Sequence, residues 1–199
     1  GWLPESYTQT NSISSALIAP IGTKVAAYIM IRVLLFVFGA SGLNAVWPLS
    51  EVIAYLAGAG ILFGSIMAIL QKNLKRMLAF SSVSQIGYIL MGVALMNPLA
   101  FAGALFHVLN HAIMKATLFM VSSHLERQEE SVDIRDFNDS YRVKYPWTRA
   151  TFTLAAISMI GLPPMAGFFS KWMLALGTIE ADHWVLFGVI LSSSLLNAV

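Results

Sequence analysis

The sequence predicts an all-α membrane protein with about six transmembrane helices, one of which is broken near residues 161–167. The first observation is composition: 57% of the 199 residues are apolar and only 11% are charged. Soluble domains carry about 25% charged residues, so an ordinary soluble enzyme is excluded. Intrinsic disorder is excluded too, because disordered chains are poor in apolar residues. The second observation is that the apolar residues form long runs separated by short polar joints.

The runs have the length that a membrane crossing requires. About 20 mainly apolar residues cross the ~30 Å hydrocarbon layer, and helices are the default in lipid because every backbone group must be paired. We expect one transmembrane domain, 1–199, with 124–149 as its connecting segment. The expected spans are 12–38, 52–71, 78–96, 100–123, 150–178 and 184–199.

The polar joints alternate in charge from one side of the membrane to the other. Those at 39–51, 97–99 and 179–183 contain no Lys or Arg, whereas 72–76 and 124–149 together contain three Lys and five Arg. The positive-inside rule therefore predicts that 72–76 and 124–149 lie on the cytoplasmic side of a cell (inner) membrane.

Several chemistries are not indicated by the residue content. The chain has no cysteine, so disulfides, thiol catalysis and iron–sulfur ligation are excluded for this chain. The net charge of +2 gives no reason to expect nucleic acid as a partner. No pattern of paired haem ligands is present, so we expect no cofactor.

Lys24 lies near the middle of the first span, about a dozen residues from either end. A lysine at the centre of a membrane helix costs roughly 2.5–3.5 kcal/mol on insertion scales. We therefore expect Lys24 to face a protein interior or water. The alternative is that its long side chain reaches the interface and acts as an anchor.

His107, His111 and Lys115 follow one another at four-residue spacing in the fourth span, so they share one helix face. Histidine changes charge near neutral pH, and the three groups form a path for protons if water fills the gaps. The opposite face, around Leu109, Ile113 and Phe119, is expected to pack against lipid or other helices. Two alternatives remain: a zinc site using the two histidines, which lacks a third ligand nearby, and a structural polar stripe.

The fifth span combines a helix break with a charge. Gly161, Pro163 and Pro164 interrupt its backbone hydrogen bonds, and Gly167 adds conformational freedom to the backbone. Lys171 follows seven residues after Pro164. Broken helices in membranes form ion sites in transporters. A simple proline kink is the alternative, but it leaves Lys171 unexplained.

Lys75 lies at the inner edge of the third span, beside Lys72 and Arg76. One interpretation is that Lys75 is a topology anchor. The other is that it is an entry point for protons, with the serines that follow it lining a hydrated path inward. Taken together, the buried ionisable residues favour proton or cation movement. The alternative from another class is a membrane scaffold whose charges specify helix pairing.

Five sequence pieces resemble a known family when they are taken in order. They are GWLPESY at 1–7, KVAAYIMIR at 24–32, QKNLKRMLAFSSVSQIGY at 71–88, FHVLNHAIMKATLF at 106–119 and GLPPMAGFFSKW at 161–172. The chain resembles the antiporter-like, proton-translocating membrane subunits shared by respiratory complex I and Mrp-type cation/proton antiporters. That family has two inverted repeats, each with one broken helix.

The resemblance implies that this chain corresponds to the second repeat plus one helix before it. It also implies proton-relay roles for Lys24, Lys75, His107, His111, Lys115 and Lys171. The first repeat's earlier helices have no counterpart here, so we expect either a piece of a longer chain or a partner that supplies them.

The sequence of 143–172 is most similar to the D-type subunit of Mrp antiporters. We therefore expect a subunit of such an antiporter, moving H⁺ and either Na⁺ or K⁺ beside other membrane subunits. The alternative is a proton-pumping subunit of complex I (NADH:quinone oxidoreductase), with no redox chemistry in this chain.

Overall fold

A computed structural model describes residues 2–39, 42, 48–128, 133–134 and 144–198. Within these ranges the regular secondary structure is helical, and Asn73 and Asp133 form one isolated bridge. The all-α class is therefore confirmed. The helices are α1 (Trp2–Gln9), α2 (Ser12–Arg32, continued by a π-helix, Val33–Phe38), α3 (Leu49–Ile69), α4 (Leu74–Ala94), α5 (Pro98–Gln128), α6 (Pro146–Ile160), α7 (Ala166–Glu180) and α8 (Trp184–Leu196).

In the part of the chain that the structure describes, four helices are long and apolar enough to cross a membrane: Ser14–Phe38 and helices α3, α4 and α5. The predicted fifth span is divided into α6 and α7, and α8 is a shorter apolar helix in the sixth. Large apolar side chains on the outside of the bundle, such as Leu56 and Phe36, are 67% and 73% exposed, as a lipid environment permits.

Helix α5 continues to Gln128, so the first residues of the predicted connecting segment 124–149 are helical. Residues 129–132 and 135–143 of that segment lie outside the described residues. The same is true of Gly1 in the first motif, of 40–41 and 43–47 in the joint 39–51, and of Val199.

The helix break lies between α6 and α7. Helix α6 ends at Gly161, which has a left-handed backbone (φ 91°), and α7 begins after Met165. Gly167 lies in the first turn of α7, where a β-carbon would come within 1.8 Å of the Ser158 carbonyl oxygen of α6. The two halves of the broken span are therefore in direct backbone contact, which only glycine at 167 allows.

Helix α4 is the central helix and packs against α3 most extensively. A glycine on each helix permits the approach: a β-carbon on Gly64 would lie 2.5 Å from the Ser84 nitrogen, and one on Gly87 would lie 2.9 Å from the Ala57 carbonyl oxygen. Small residues of this kind let helix backbones approach closely in lipid.

Two apolar clusters enclose a polar layer in the bundle. Ala104 of α5 and Tyr88 of α4 belong to one cluster, whereas Leu118 of α5 and Ala79 of α4 belong to the other. Most of the buried polar residues of both helices lie between those positions. The fold therefore separates a polar layer from the two ends of the bundle.

Candidate functional site

The four-residue spacing on α5 brings His107, His111 and Lys115 to one buried face. All three side chains are fully buried, whereas Leu109 and Ile113 on the opposite face are 64% and 68% exposed. The prediction that Phe119 lies on the face opposite the three ionisable residues is wrong: Phe119 is fully buried, with its ring 5.6 Å from that of Tyr7. The reason is that residue 119 is the next four-residue step after 115 and continues the same face.

Lys115 lies at the α4–α5 contact. Its ammonium donates to the Leu78 carbonyl oxygen and to the Ser81 hydroxyl, at 2.5 Å each. A buried ammonium requires several oxygen partners, and the serine supplies one beside the carbonyl. Lys115 is thus held by α4 and faces the polar layer.

His107 is bonded on both sides of its ring. Its Nδ1 lies 2.9 Å from the Ser170 hydroxyl of α7, and its Nε2 lies 2.9 Å from the Gln85 amide oxygen of α4. The ring also contacts that of Tyr88, with centroids 5.5 Å apart. Side chains from two neighbouring helices therefore fix the orientation of this histidine on α5.

His111 is stacked on His107, with ring centroids 6.1 Å apart. Neither of its ring nitrogens has a hydrogen-bond partner among the described residues. A fully buried imidazole needs partners, so we expect water or a further helix to supply them. Among the same residues, no three His, Cys, Asp or Glu side chains converge on a common point where a metal ion would bind.

Lys171 is placed at the end of α6 by the helix break. Its ammonium donates to the carbonyl oxygens of Met159 and Ile160, at 2.9 and 3.0 Å, and to the Ser194 hydroxyl at 3.4 Å. These two carbonyls belong to the last turn of α6, where helix carbonyls lack intrahelical donors and the helix dipole is negative. The break thus creates a binding site for the Lys171 charge.

Lys24 approaches the two histidines from α2. Its side chain is 8% exposed, and its ammonium donates to the Thr23 hydroxyl at 3.1 Å. It is close enough for its charge to act on His107, His111 and Lys115. We call Lys24, His107, His111, Lys115 and Lys171 the polar row.

Lys75 lies apart from the polar row, at the start of α4. Its side chain is buried, and its ammonium is 2.5 Å from a carboxylate oxygen of Glu126, near the end of α5. A surface anchor would expose its ammonium, whereas this one is enclosed in an ion pair. The pair joins the ends of α4 and α5.

A cavity of about 510 Å³ extends from that end of the bundle to residues that contact the polar row. Its walls are mostly apolar and include Ser81, which contacts Lys115, and Met159 and Ile160, which contact Lys171. Gln71 and Arg149 lie on the same walls, near the helix ends. The cavity therefore connects the bonding partners of two row lysines to one end of the protein.

Among the residues whose side chains contact the predicted site residues, the following were not identified from sequence patterns: Gln85, Tyr88, Glu126 and Ser170. The sequence does contain a signal for Gln85, because an amide side chain inside an apolar span is unusual. The other three contact the predicted residues from neighbouring helices, and no local pattern indicates those contacts.

Residues 1–197 match the family described as NADH:quinone oxidoreductase/Mrp antiporter, transmembrane. The N-type subunit of the NADH-quinone oxidoreductase of Desulforudis audaxviator is 49% identical over 199 residues, which are 100% of this chain and 39% of that protein. The D-type subunit of the Na⁺/H⁺ antiporter of Alkalihalophilus pseudofirmus is 33% identical over 98% of this chain and 39% of that protein. The chain thus spans about 39% of the length of these curated relatives.

The fold is shared with chains of solved membrane complexes. The Mrp complex from a Dietzia species contains a chain that superposes with a TM-score of 0.91 at 28% identity, covering 99% of this chain and 36% of that one. A chain of respiratory complex I from Thermus thermophilus superposes with a TM-score of 0.85 at 23% identity, covering 99% of this chain and 41% of that one. With the family match over almost the whole sequence, the chain belongs to the NADH:quinone oxidoreductase/Mrp antiporter transmembrane family.

Proposed function

We propose that this chain carries the proton pathway of an antiporter-like subunit in a membrane complex of the NADH:quinone oxidoreductase type. The observation that carries the proposal is the polar row: five ionisable side chains from α2, α5 and α7, each at most 8% exposed, lie in helices that are otherwise apolar. Ionisable residues inside membrane segments mark ion and proton pathways because burying them is costly.

The row supports lateral proton movement. Lys24 of α2 acts on both histidines, and Lys171 of α7 directly follows Ser170, which contacts His107. Lysine and histidine each accept and release a proton, whereas arginine does not. Protons would enter through the cavity beside Ser81 and move along the row through these groups and through bridging water.

The identities favour the complex I type over the Mrp type that the sequence of 143–172 predicted. The N-type subunit of the NADH-quinone oxidoreductase is 49% identical, against 33% for the D-type antiporter subunit. The second candidate remains an Mrp-type antiporter that exchanges H⁺ for Na⁺ or K⁺, which the Dietzia structure at TM-score 0.91 supports.

The proposed setting is a cell membrane, crossed several times, with residues 72–76 and 124–149 on the cytoplasmic side and other membrane subunits beside this chain. The excess of Lys and Arg in those two segments supports this orientation. In this setting the cavity and the Lys75–Glu126 pair lie at the cytoplasmic end.

The test is to purify the full-length protein with its natural partners and to measure proton uptake in vesicles. Co-purification of flavin and iron–sulfur proteins supports the complex I type. Co-purification of small membrane subunits alone indicates the Mrp type. A complex that assembles and turns over without moving protons would contradict both candidates.

A further inference from the structure

Ser170 has one hydroxyl proton and two neighbours that can accept it. Its Oγ lies 3.0 Å from the Gly167 carbonyl oxygen on its own helix and 2.9 Å from Nδ1 of His107. A hydroxyl donates one hydrogen bond at a time but accepts others. The direction of this single proton therefore depends on whether His107 Nδ1 carries a hydrogen.

Gln85 fixes the other side of the ring. Its amide oxygen lies 2.9 Å from Nε2 of His107, and an amide oxygen only accepts. With the amide in this orientation, which leaves the Gln85 amide nitrogen without a partner among the described residues, Nε2 carries the hydrogen in the neutral ring, and Nδ1 is the nitrogen that gains or loses a proton. In the neutral ring Nδ1 accepts from Ser170, whereas in the charged ring Nδ1 donates to Ser170.

We propose that Ser170 is a hydroxyl switch, a positioning residue whose proton points to His107 when the ring is neutral and to the Gly167 carbonyl when the ring is charged. This inference rests on the proposed proton pathway and adds a residue to it. Both states use the same positions of the heavy atoms, so a rotation of one hydrogen interconverts them. Both nitrogens of the ring keep a hydrogen-bond partner in either state.

The switch lies where α7 meets α6. Gly167 touches the Ser158 backbone of α6, and Lys171 follows Ser170 directly in the chain. The carbonyl that accepts the Ser170 hydrogen bond therefore belongs to the residue at which the two halves of the broken span meet. The charge of His107 is thereby linked to the segment that positions Lys171.

The titratable groups that face His107 come from every helix around it. Among the described residues they are Lys24 of α2, Tyr88 of α4, His111 of α5 and Lys171 of α7, whereas Lys115 acts on His111. Replacing Ser170 leaves these groups in place, so its effect on pH dependence is separable from theirs.

The experiment compares the pH profile of proton translocation by wild type and Ser170→Ala, using the full-length chain in its purified, vesicle-reconstituted complex. An unpartnered N–H on a charged ring costs more than an unpartnered lone pair on a neutral ring. Ser170→Ala should therefore move the alkaline limb of the profile to lower pH, by about one pH unit. Ser170→Thr keeps the hydroxyl and should restore the wild-type limb.

Thr178→Val is the matched control. Thr178 is also fully buried in α7, and its hydroxyl makes the same bond to the carbonyl three residues earlier, Ala175, at 2.7 Å. It should leave the profile unchanged. The switch would be overturned by an unshifted alkaline limb in an active Ser170→Ala complex, or by an equal shift in Thr178→Val. Either result is compatible with the proposed proton pathway. A wild-type complex that moves no protons would overturn the proposed function itself.

Discussion

Two parts of the polar row differ in how the protein holds them. His107, Lys115 and Lys171, which we call the bonded group, have partners on neighbouring helices for their buried polar atoms. Lys24 and His111, which we call the open group, are also enclosed but less supported: Lys24 donates to the adjacent Thr23, and neither nitrogen of His111 is bonded within the described part of the chain.

The difference separates two requirements of a proton pathway. A group that must keep a fixed geometry needs protein partners, because buried polar atoms without them are unstable. A group that must pass protons onward needs partners that change, and water is suited to that role. We infer that the bonded group fixes the path and the open group depends on water for its connections.

The largest expected effect is at Lys171, in the bonded group. Lys171→Ala should reduce proton translocation by about a hundredfold or more, because a protonatable group is lost.

Lys171→Arg keeps donors for the Met159 and Ile160 carbonyls but cannot release a proton, so it should assemble normally and remain inactive. Lys171→Glu keeps an ionisable group at the site, so we expect it to retain part of the translocation. Wild-type translocation by an assembled Lys171→Ala complex would remove Lys171 from the pathway.

Lys24→Arg tests the open group in the same vesicle assay. Arginine supplies the charge but stays protonated at every accessible pH, so translocation should fall strongly, by about a hundredfold. The level of assembled complex, measured by quantitative immunoblotting, should stay near wild type. Normal turnover would mean that Lys24 acts only through its charge. Lys24 would then not belong to the open group, whose residues pass protons.

Gly167→Ala tests the rigidity behind the bonded group. The added methyl would lie 1.8 Å from the Ser158 carbonyl oxygen, so α6 and α7 must separate. Overpacking of this kind typically costs about 1–3 kcal/mol, and thermal unfolding of the complex should occur at lower temperature. Gly60→Ala is the control, because a β-carbon there meets nothing within 4 Å among the described residues. Equal thermal stability of the two variants would contradict the close contact at the break.

The smallest effect is expected at Ser81, which supplies one of the two oxygens that Lys115 contacts. Ser81→Ala leaves the Leu78 carbonyl in place, so translocation should fall only about tenfold, the equivalent of one hydrogen bond to a charged group. Ser82→Ala is the control, because the Ser82 hydroxyl bonds the same carbonyl at 3.0 Å, whereas the ammonium of Lys115 bonds the hydroxyl of Ser81. A similar fall in both variants would show that Ser81 acts on α4 rather than on Lys115.

Local pattern predicts the parts of this site that one helix determines. The four-residue spacing on α5 gives the buried face, and Gly161, Pro163 and Pro164 give the break, because both depend on residues close in sequence. The partners of the row could not be predicted in the same way: Gln85 is 22 residues from His107, and Ser170 is 63 residues away. The error at Phe119 has a different origin, since the spacing itself places that residue on the row's face.

The most direct test is to observe protons on the row during turnover. Isotope-edited infrared difference spectroscopy can follow His111 in a complex with ring-labelled histidine, with His111→Asn as the control that identifies its bands. The account predicts that a band of the charged ring rises and decays while protons are moved, and that Lys171→Arg abolishes this change. Proton translocation that continues with no change in the His111 bands would contradict the central claim that protons pass through the polar row.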